Sequence, residues 1–285
     1  MNQCTAGGVL LPNGRFMIGA GVCKSPATTA QWLKIAPVVS GSYTPEQCTG
    51  HNMPNMGFIV AVEQFAVMAQ PDHSMMVSIA GFTVSDYLTG LKKYCRLDTV
   101  SAVELNLGCP NTQDEHPETI SFRPKDIKSL LEYIVKYNLI TKPIWLKFSP
   151  YSNPMELERM AGVVNEYAQK LPLAVVTCNP FPDAEFGSGK ISTNAGMAGP
   201  SGPSMKPIAL GQVRQFRRHL DDSVDVIGVG GITTGNDIMD FLDAGAAAVQ
   251  VTSPAHWDKN PGTFFSQLLD VKTGSRFIKH VADDM

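Results

Sequence analysis

The chain has 285 residues, of which 44% are hydrophobic and 17% are charged, and its formal net charge at pH 7 is −3. That length suits one large barrel or two small domains with a substantial buried core. Positive and negative charges are interspersed, so neither nucleic acid nor a membrane is an expected partner. The sequence contains no run of about 18 apolar residues, so no membrane span is predicted. The first residues lack the basic-then-apolar order of a signal peptide. We therefore expect a cytoplasmic location.

Eight short apolar segments alternate with helical patterns along the chain. These predicted strands cover residues 16–21, 37–40, 75–81, 102–107, 144–148, 173–177, 224–229 and 247–251. The segments are nearly continuously apolar, which is typical of parallel strands that are buried on both faces. Eight strands alternating with helices predict an α/β fold, a (β/α)8 TIM barrel, in a single domain over residues 1–285.

The helical patterns between the strands carry start and stop signals. The clearest helices are predicted over residues 85–97, 126–138, 153–171 and 235–244. Ser85 is the predicted N-cap of the first of these. Pro154 stands in the first turn of the third, where proline is favoured, and Gly245 is a natural stop for the fourth.

Two segments fall outside the regular alternation. Residues 9–16 place Asn13 and Gly14 between apolar residues, which predicts a β-hairpin closing the bottom of the barrel. Residues 180–204 form a long loop after the sixth strand, rich in glycine, proline and serine. Loops of this length in a compact domain are usually functional, so we expect a lid over the site, with a surface insertion as the alternative.

The catalytic groups of such a barrel sit at the carboxyl ends of its strands, and the segment after the fourth strand carries candidates. Asn106, Cys109 and Asn111 stand close together there. A thiol in a turn can act as a general base, and carboxamides can hold a planar polar ligand by paired hydrogen bonds. A buried structural cysteine is the alternative. The other five cysteines form no Cys-x-x-Cys pair and the histidines are dispersed, so neither a metal site nor a disulfide framework is predicted.

Lys147 lies inside the apolar fifth strand. A lysine is costly to bury without a partner, so we expect it to face a ligand at the barrel mouth, or else to reach water from an edge.

A phosphate site is predicted after the last two strands. Gly230 and Gly231 follow the seventh strand, and Thr252 and Ser253 follow the eighth. Backbone N–H groups in glycine turns and at helix starts bind phosphate, and barrels often bind phosphate at these two loops. Gly202 belongs to a second glycine-rich turn that fits the rim around the same ligand. Plain tight turns are the alternative.

Taken in order, these segments resemble the dihydroorotate dehydrogenase family, in particular its class 1, over about residues 14–270. The matching segments are Ile18-Gly-Ala-Gly21, Pro54-Asn-Met-Gly-Phe58, Ser78-Ile-Ala-Gly81, Glu104-Leu-Asn-Leu-Gly-Cys-Pro-Asn111, Leu146-Lys-Phe-Ser-Pro150, Gly199-Pro-Ser-Gly202 with Lys206-Pro207, and Gly230-Gly-Ile232. The resemblance implies an FMN-dependent oxidation of dihydroorotate to orotate, a step of pyrimidine biosynthesis. It implies that Cys109 takes the proton from C5 of dihydroorotate and that the hydride from C6 passes to N5 of FMN.

The resemblance also implies site residues and partners. Its substrate-binding residues would be Asn106, Asn111, Asn179, Thr49 and Asn55. Its cofactor-binding residues would be Ala20, Gly21, Lys147, Gly202, Gly230, Gly231, Thr252 and Ser253. The implied partners are a small pyrimidine substrate and a dissolved electron acceptor such as fumarate, in a homodimeric protein.

The chain departs from the family on the substrate side. The family usually carries a lysine after the second strand, and residues 38–44 contain none. Thr49 stands where the family has a substrate-binding asparagine. Thr177-Cys-Asn179 replaces the family's Asn-Ser or Asn-Thr pair. Depending on the register of the alignment, that asparagine is either lost or retained as Asn179. The flavin side of the site therefore matches better than the side that would bind the orotate carboxylate.

Two alternatives to dihydroorotate oxidation remain open at this stage. One is a divergent paralogue that acts on another substrate or is inactive, which the departures favour. The other is a flavin barrel similar to the tRNA dihydrouridine synthases, whose Asn-x-Gly-Cys-Pro loop matches residues 106–110. The chain shows neither the basic face nor the C-terminal helical domain typical of those RNA-modifying enzymes, so this alternative is the weaker one.

Overall fold

The computed structural model describes residues 4–11, 15–48, 54–70, 72–108, 119–182, 184–185, 197–257, 263–264 and 268. Its strands are β1 (Cys4–Ala6), β2 (Val9–Leu11), β3 (Phe16–Ile18), β4 (Val38–Tyr43), β5 (Met75–Ala80), β6 (Ala102–Asn106), β7 (Ile144–Phe148), β8 (Leu173–Thr177), β9 (Ala184–Glu185), β10 (Met197–Ala198), β11 (Asp225–Val229) and β12 (Ala248–Val251). Its helices are α1 (Pro26–Trp32), α2 (Gly57–Ala66), α3 (Val84–Tyr94), α4 (Pro124–Lys136), α5 (Pro154–Asn165), α6 (Lys206–His219), α7 (Gly235–Asp243) and α8 (Ser253–Trp257).

Eight of these strands close into a parallel barrel. Their order is β3-β4-β5-β6-β7-β8-β11-β12, with β12 pairing back onto β3. This arrangement confirms the predicted (β/α)8 barrel. In the described ranges, no helix has the length and apolar character needed to cross a membrane.

The strands divide their side chains between two apolar cores. On β7, Ile144 and Leu146 pack outward against the helices, whereas Trp145 packs inside the barrel. Successive side chains of a strand point to opposite faces, so Lys147 must share the interior with Trp145. The same alternation on β6 places Glu104 on the same face as Ala102, which lies in the interior core.

The amino end of the barrel is closed by the antiparallel pair β1–β2. Trp145 Nε1 donates a hydrogen bond of 2.9 Å to the Gly7 carbonyl, and the Gly7 N–H donates one of 2.7 Å to Asp225 Oδ2. The hairpin is therefore present, but its turn is Gly7-Gly8 rather than the predicted Asn13-Gly14, which lies outside the described residues. The two glycines have φ of +56° and +73°, the left-handed conformation that such a turn requires.

Several boundaries differ from the predicted ones for local reasons. β4 runs on to Tyr43, past the predicted end at residue 40, through an irregularity in its pairing with β5 between Gly41 and Tyr43. α5 ends at Asn165 rather than at 171, because the chain then tightens into turns such as Tyr167 N–H to the Val164 carbonyl at 3.0 Å.

The long loop after the sixth barrel strand is present as predicted. It contains the short antiparallel pair β9–β10, and residues 186–196 between these strands lie outside the described part of the chain. The loop starts at Pro180, which contributes to the cavity described below.

The N-cap of α3 lies two residues before the predicted one. Thr83 is the actual cap, and its side chain accepts a hydrogen bond from the Asp86 N–H while the Asp86 carboxylate accepts one from the Thr83 N–H. This reciprocal capping box satisfies N–H groups that have no partner within the helix. Sequence reasoning chose Ser85 because it weighed one hydroxyl residue and missed the Thr-x-x-Asp spacing.

Replacing Thr83 by alanine should lower the free energy of unfolding by about 1 kcal/mol, because the helix loses its N-cap bond. Ser85→Ala is the matched control. Ser85 is exposed within the first turn, and its loss should change stability by less than about 0.5 kcal/mol. Urea denaturation of both variants measures the difference. Equal effects would show that Thr83 does not cap the helix.

Candidate functional site

A cavity of about 200 Å³ opens at the carboxyl end of the barrel. Its lining residues lie at the ends of seven of the eight barrel strands or in the loops that follow them, which is where barrel enzymes place their chemistry. The described residues around it are Ala20, Gly21, Lys24, Ser42, Asn106, Lys147, Cys178, Asn179, Pro180, Pro200, Ser201, Gly202, Met205, Val229, Gly230, Gly231, Ile232, Gln250, Thr252 and Ser253.

The floor of the cavity is a buried polar cluster. Lys147 Nζ lies 3.6 Å from Glu104 Oε1 and donates a hydrogen bond of 3.3 Å to Gln250 Oε1. Gln250 Nε2 donates one of 2.6 Å to Glu104 Oε2, which closes the triangle. Glu104 is 0% exposed and Lys147 only 5%, so each charge depends on the other for its compensation. The cluster holds the lysine ammonium at the base of the cavity, where it favours negative charge on a bound group.

One wall of the cavity is a chain of carboxamides and hydroxyls. Asn179 Nδ2 donates to Asn106 Oδ1 at 2.9 Å, and Asn106 Nδ2 donates to Ser42 Oγ at 3.0 Å. Ser42 Oγ in turn shares a hydrogen bond of 2.8 Å with Ser78 Oγ. These bonds fix the planes of both carboxamides. Each amide nitrogen carries two hydrogens, so the wall retains donor capacity for a planar polar ligand.

The opposite side of the cavity is formed by glycine turns and helix starts. Gly231 has φ of +74°, and a Cβ built on it would lie 2.5 Å from the backbone nitrogen of Lys206. Only glycine permits this close approach between the turn after β11 and the first residue of α6. Gly202 and Gly230 lie beside it, and Thr252 leads into α8, which begins at Ser253. Such N–H groups and helix starts are suited to bind a phosphate.

Two buried cysteines near the cavity are unsuited to act as bases. Burial raises the pKa of the Cys178 thiol to about 12, although the charge of Lys147 pulls it down in part. Burial likewise raises the pKa of the Cys23 thiol to about 12. Both therefore stay protonated at neutral pH, and the thiolate is the reactive form of cysteine.

Most of the described residues predicted for the site line one cavity. These are Ala20, Gly21, Asn106, Lys147, Asn179, Gly202, Gly230, Gly231, Thr252 and Ser253. Cys109, Asn111 and Thr49 lie outside the described residues. Asn55 is described but is not among the residues that line the cavity. Its Oδ1 instead accepts hydrogen bonds from the Thr44 and Gly57 N–H groups at 3.1 and 2.9 Å, which hold the segment after β4.

Sequence reasoning missed several residues of the cavity and of the buried cluster at its floor. Glu104 and Gln250 stand in otherwise apolar strands, and a polar residue at an inward position of a buried strand was the signal that could have found them. Ser42 and Lys24 had no such signal. Ser42 depends on the extension of β4, and Lys24 depends on the course of the loop after β3.

Comparison with known proteins agrees with this arrangement. The family model described as dihydroorotate dehydrogenase matches residues 52–268. A Streptococcus pyogenes serotype M3 protein, named as a candidate dihydroorotate dehydrogenase A (fumarate), is 31% identical over 227 residues, covering 78% of this chain and 70% of its own. The dihydroorotate dehydrogenase A (fumarate) of Lactococcus lactis subsp. cremoris is 30% identical over 214 residues, covering 72% and 66%.

A solved structure shares the fold. The crystal structure of DHODH from Eimeria tenella in complex with ferulenol has a TM-score of 0.71 and 16% identity, covering 99% of this chain and 87% of that one.

The barrel and its cavity define an α/β enzyme scaffold with glycine turns on one side of the cavity and carboxamides on the other. The chain belongs to the dihydroorotate dehydrogenase family, as a divergent member similar to class 1. Members of this family are flavin-dependent oxidoreductases acting on CH–CH groups.

Replacing Lys147 by methionine should lower the free energy of unfolding by about 3–5 kcal/mol, because Glu104 would be left buried without its counter-charge. Lys128→Met is the matched control, since Lys128 pairs with Glu166 on the surface, where their side chains are 44% and 48% exposed. An exposed pair contributes about 0–1 kcal/mol. Urea denaturation compares the two variants, and similar losses would contradict the ion pair as the support of the cavity floor.

Proposed function

We propose that this protein oxidises dihydroorotate to orotate with FMN bound in the cavity and Cys109 as the base. The observation that carries the proposal is that Lys147, the Asn106–Asn179 wall and the glycine turns line the same cavity. Each of these features suits one part of the ligands. The cation would lie by the flavin ring, the carboxamide wall would bind the pyrimidine, and the glycine turns would bind the ribityl phosphate. The family to which the chain belongs supports the same assignment.

The residues present fit a flavin nucleotide. A Cβ built on Gly21 would meet only the Thr252 methyl, at 4.0 Å, so the space beside Gly21 is open to the cavity. Ala20 and Gly21 would line the flavin, and Gly202, Gly230, Gly231, Thr252 and Ser253 would hold its phosphate. FMN, when bound, supplies a two-electron acceptor for hydride.

The chain's own residues orient the substrate and move its proton. Asn106 and Asn179 would hold the pyrimidine through the donors that their mutual hydrogen bond leaves available. The ammonium of Lys147 would stabilise negative charge in the cavity. Cys109 follows Gly108, the last described residue of its loop, and we propose that its thiolate removes the C5 proton. Asn111, Thr49 and Asn55 remain proposed substrate residues.

The partners of the reaction are also proposals. Fumarate, or a similar dissolved acceptor, would be the oxidant that regenerates the enzyme. The names of the relatives, which include dihydroorotate dehydrogenase A (fumarate), support this proposal. We further propose that residues 1–285 form a single FMN-binding domain that assembles as a homodimer.

The proposed function is tested by adding dihydroorotate to the purified protein without oxygen and following the flavin absorbance. We expect a yellow protein whose flavin bleaches on mixing and recovers when fumarate is added. A protein that binds no flavin would refute the cofactor. Bound flavin that does not bleach would refute dihydroorotate as the substrate and favour a divergent paralogue, which the absence of a lysine in residues 38–44 also supports.

Replacing Cys109 by serine should slow flavin reduction at neutral pH by about 10²- to 10⁴-fold while FMN stays bound, because a serine hydroxyl is a far weaker base than a thiolate. Stopped-flow absorbance measures the rate. Cys4→Ser is the control, since Cys4 lies in β1 at the other end of the barrel, and it should leave the rate unchanged. An unchanged rate in Cys109→Ser would remove Cys109 from the mechanism.

Replacing Ser253 by aspartate should weaken FMN binding by more than about tenfold, since like charges brought together cost several kcal/mol. An acidic residue in the first turn of a helix favours folding, so the barrel should be retained. Flavin content per chain after gel filtration measures the effect. Ser85→Asp, the same change in the first turn of α3, should keep full flavin content. Full content in Ser253→Asp would exclude this loop as the phosphate site.

A further inference from the structure

Two turns meet on the glycine side of the cavity. The turn before α6 lines the cavity with Gly202 and Met205, and the turn after β11 lines it with Gly230 and Gly231. The turn after β11 packs closely against α6, because a Cβ built on Gly230 would lie 2.9 Å from the Cβ of Ala209. The shape of this side of the cavity therefore depends on how α6 is held against that turn.

The buried carboxylate of Asp237 connects these two elements. Its Oδ2 accepts hydrogen bonds of 2.8 Å from the N–H groups of Thr233 and Thr234, which follow the glycines of the turn after β11. Both threonine hydroxyls donate to the same oxygen at 3.0 Å. Asp237 Oδ1 accepts a hydrogen bond from Nζ of Lys206, the first residue of α6. One carboxylate therefore binds the end of the glycine turn and the start of α6 together.

The ion pair is charged at neutral pH. Burial by itself would raise the pKa of Asp237, but the hydrogen bonds from Lys206 and the two threonines outweigh it and hold that pKa below its usual value. Burial would likewise lower the pKa of Lys206, but its hydrogen bonds to Asp237 and Asp240 raise that pKa above its usual value. The bond to Asp240 Oδ2 is 2.7 Å long, so the cluster has one more negative than positive charge.

This cluster can serve a phosphate only through the turns that it holds. Lys206, Asp237 and Asp240 are not among the described residues that line the cavity. Their surplus negative charge would repel a phosphate rather than attract it. A turn that is already fixed, however, needs little further ordering when a ligand binds, and binding is stronger for that reason. The cluster therefore favours phosphate binding by geometry and opposes it by charge.

We propose that the Lys206–Asp237 ion pair fixes the glycine turns for the phosphate of FMN, and thereby makes the site prefer FMN over a flavin that lacks the phosphate. This inference rests on the proposed function, because it takes the glycine turns as the phosphate site. Both are positioning residues, which act through the turns and take no part in proton or hydride transfer.

Titration of the flavin-free protein with FMN, and separately with riboflavin, tests the proposal through the quenching of flavin fluorescence. Asp237→Asn should weaken FMN binding by about 10- to 100-fold, the loss expected for hydrogen bonds to a charged group. It should change riboflavin binding by less than about threefold, because riboflavin has no phosphate. On charge alone the same variant would bind FMN more tightly, since it removes a carboxylate. The sign of the change therefore separates geometry from charge.

The lysine tests the other end of the ion pair. Lys206→Met should weaken FMN binding to an extent similar to Asp237→Asn, again with little change for riboflavin. Lys206→Arg should stay within about tenfold of the wild type, because arginine keeps the charge and the hydrogen-bond donors.

Asp86→Asn is the matched control. Asp86 occupies the same place in the capping box of α3, and its carboxylate accepts hydrogen bonds from the Phe82 and Thr83 N–H groups at 3.0 and 2.9 Å. Neither Phe82 nor Thr83 is among the described residues that line the cavity. This variant weakens a helix cap of the same kind, and it should bind both flavins as the wild type does.

The outcomes separate this inference from the function on which it rests. If Asp237→Asn binds FMN as well as the wild type or better, the inference is overturned while the proposed function stands. If Asp237→Asn loses FMN and riboflavin alike, or if Asp86→Asn loses FMN equally, the ion pair supports the fold in general and the inference is again overturned. If the wild type binds FMN no more tightly than riboflavin, or binds neither, the proposed phosphate site falls and the inference falls with it.

Discussion

The ion pair between Glu104 and Lys147 lies inside the barrel, between an apolar layer around Trp145 and the cavity above it. Two charges in such a place are tolerated only while they compensate each other and their remaining hydrogen-bonding groups are served. Gln250 hydrogen-bonds to Lys147 Nζ and to Glu104 Oε2, and it comes from the strand that closes the barrel against β3. Glu104 Oε1 has no hydrogen bond and depends on the ammonium 3.6 Å away. The cluster at the floor therefore forms only when the barrel is closed. Closure of the barrel thus fixes the Lys147 ammonium at the base of the cavity.

The same inward alternation organises the carboxamide wall. Asn106 is the next inward residue of β6 after Glu104, and it connects to Asn179 on one side and to Ser42 on the other. The cavity thus continues the barrel interior toward the carboxyl ends of the strands, and the loops at that end complete its lining. This explains why the site combines three chemical characters in a small volume: charge at the floor, carboxamides on one wall and glycine turns on the other.

The sequence allowed the barrel to be predicted because buried parallel strands are apolar throughout, and segments such as 144–148 and 173–177 coincide with β7 and β8. The turn after β11 was predictable because glycines permit positive φ, which Gly230 and Gly231 both adopt. That this turn binds a phosphate remains a proposal. The place of Lys24 in the cavity lining was not predictable, since it depends on hydrogen bonds between the loop after β3 and Gly41 of β4. Ser85 was chosen over Thr83 for a related reason, because a cap is defined by a reciprocal bond and not by one residue type.

The central claim is that one cavity holds both FMN and a pyrimidine, with the phosphate at the glycine turns and the pyrimidine at the carboxamides. A crystal structure of the protein grown with FMN and orotate tests it most directly. The account predicts the phosphate against Gly231 and Ser253, the flavin ring beside Lys147 and orotate in contact with Asn106 and Asn179. Orotate bound away from this wall, or a flavin phosphate bound away from these turns, would contradict it.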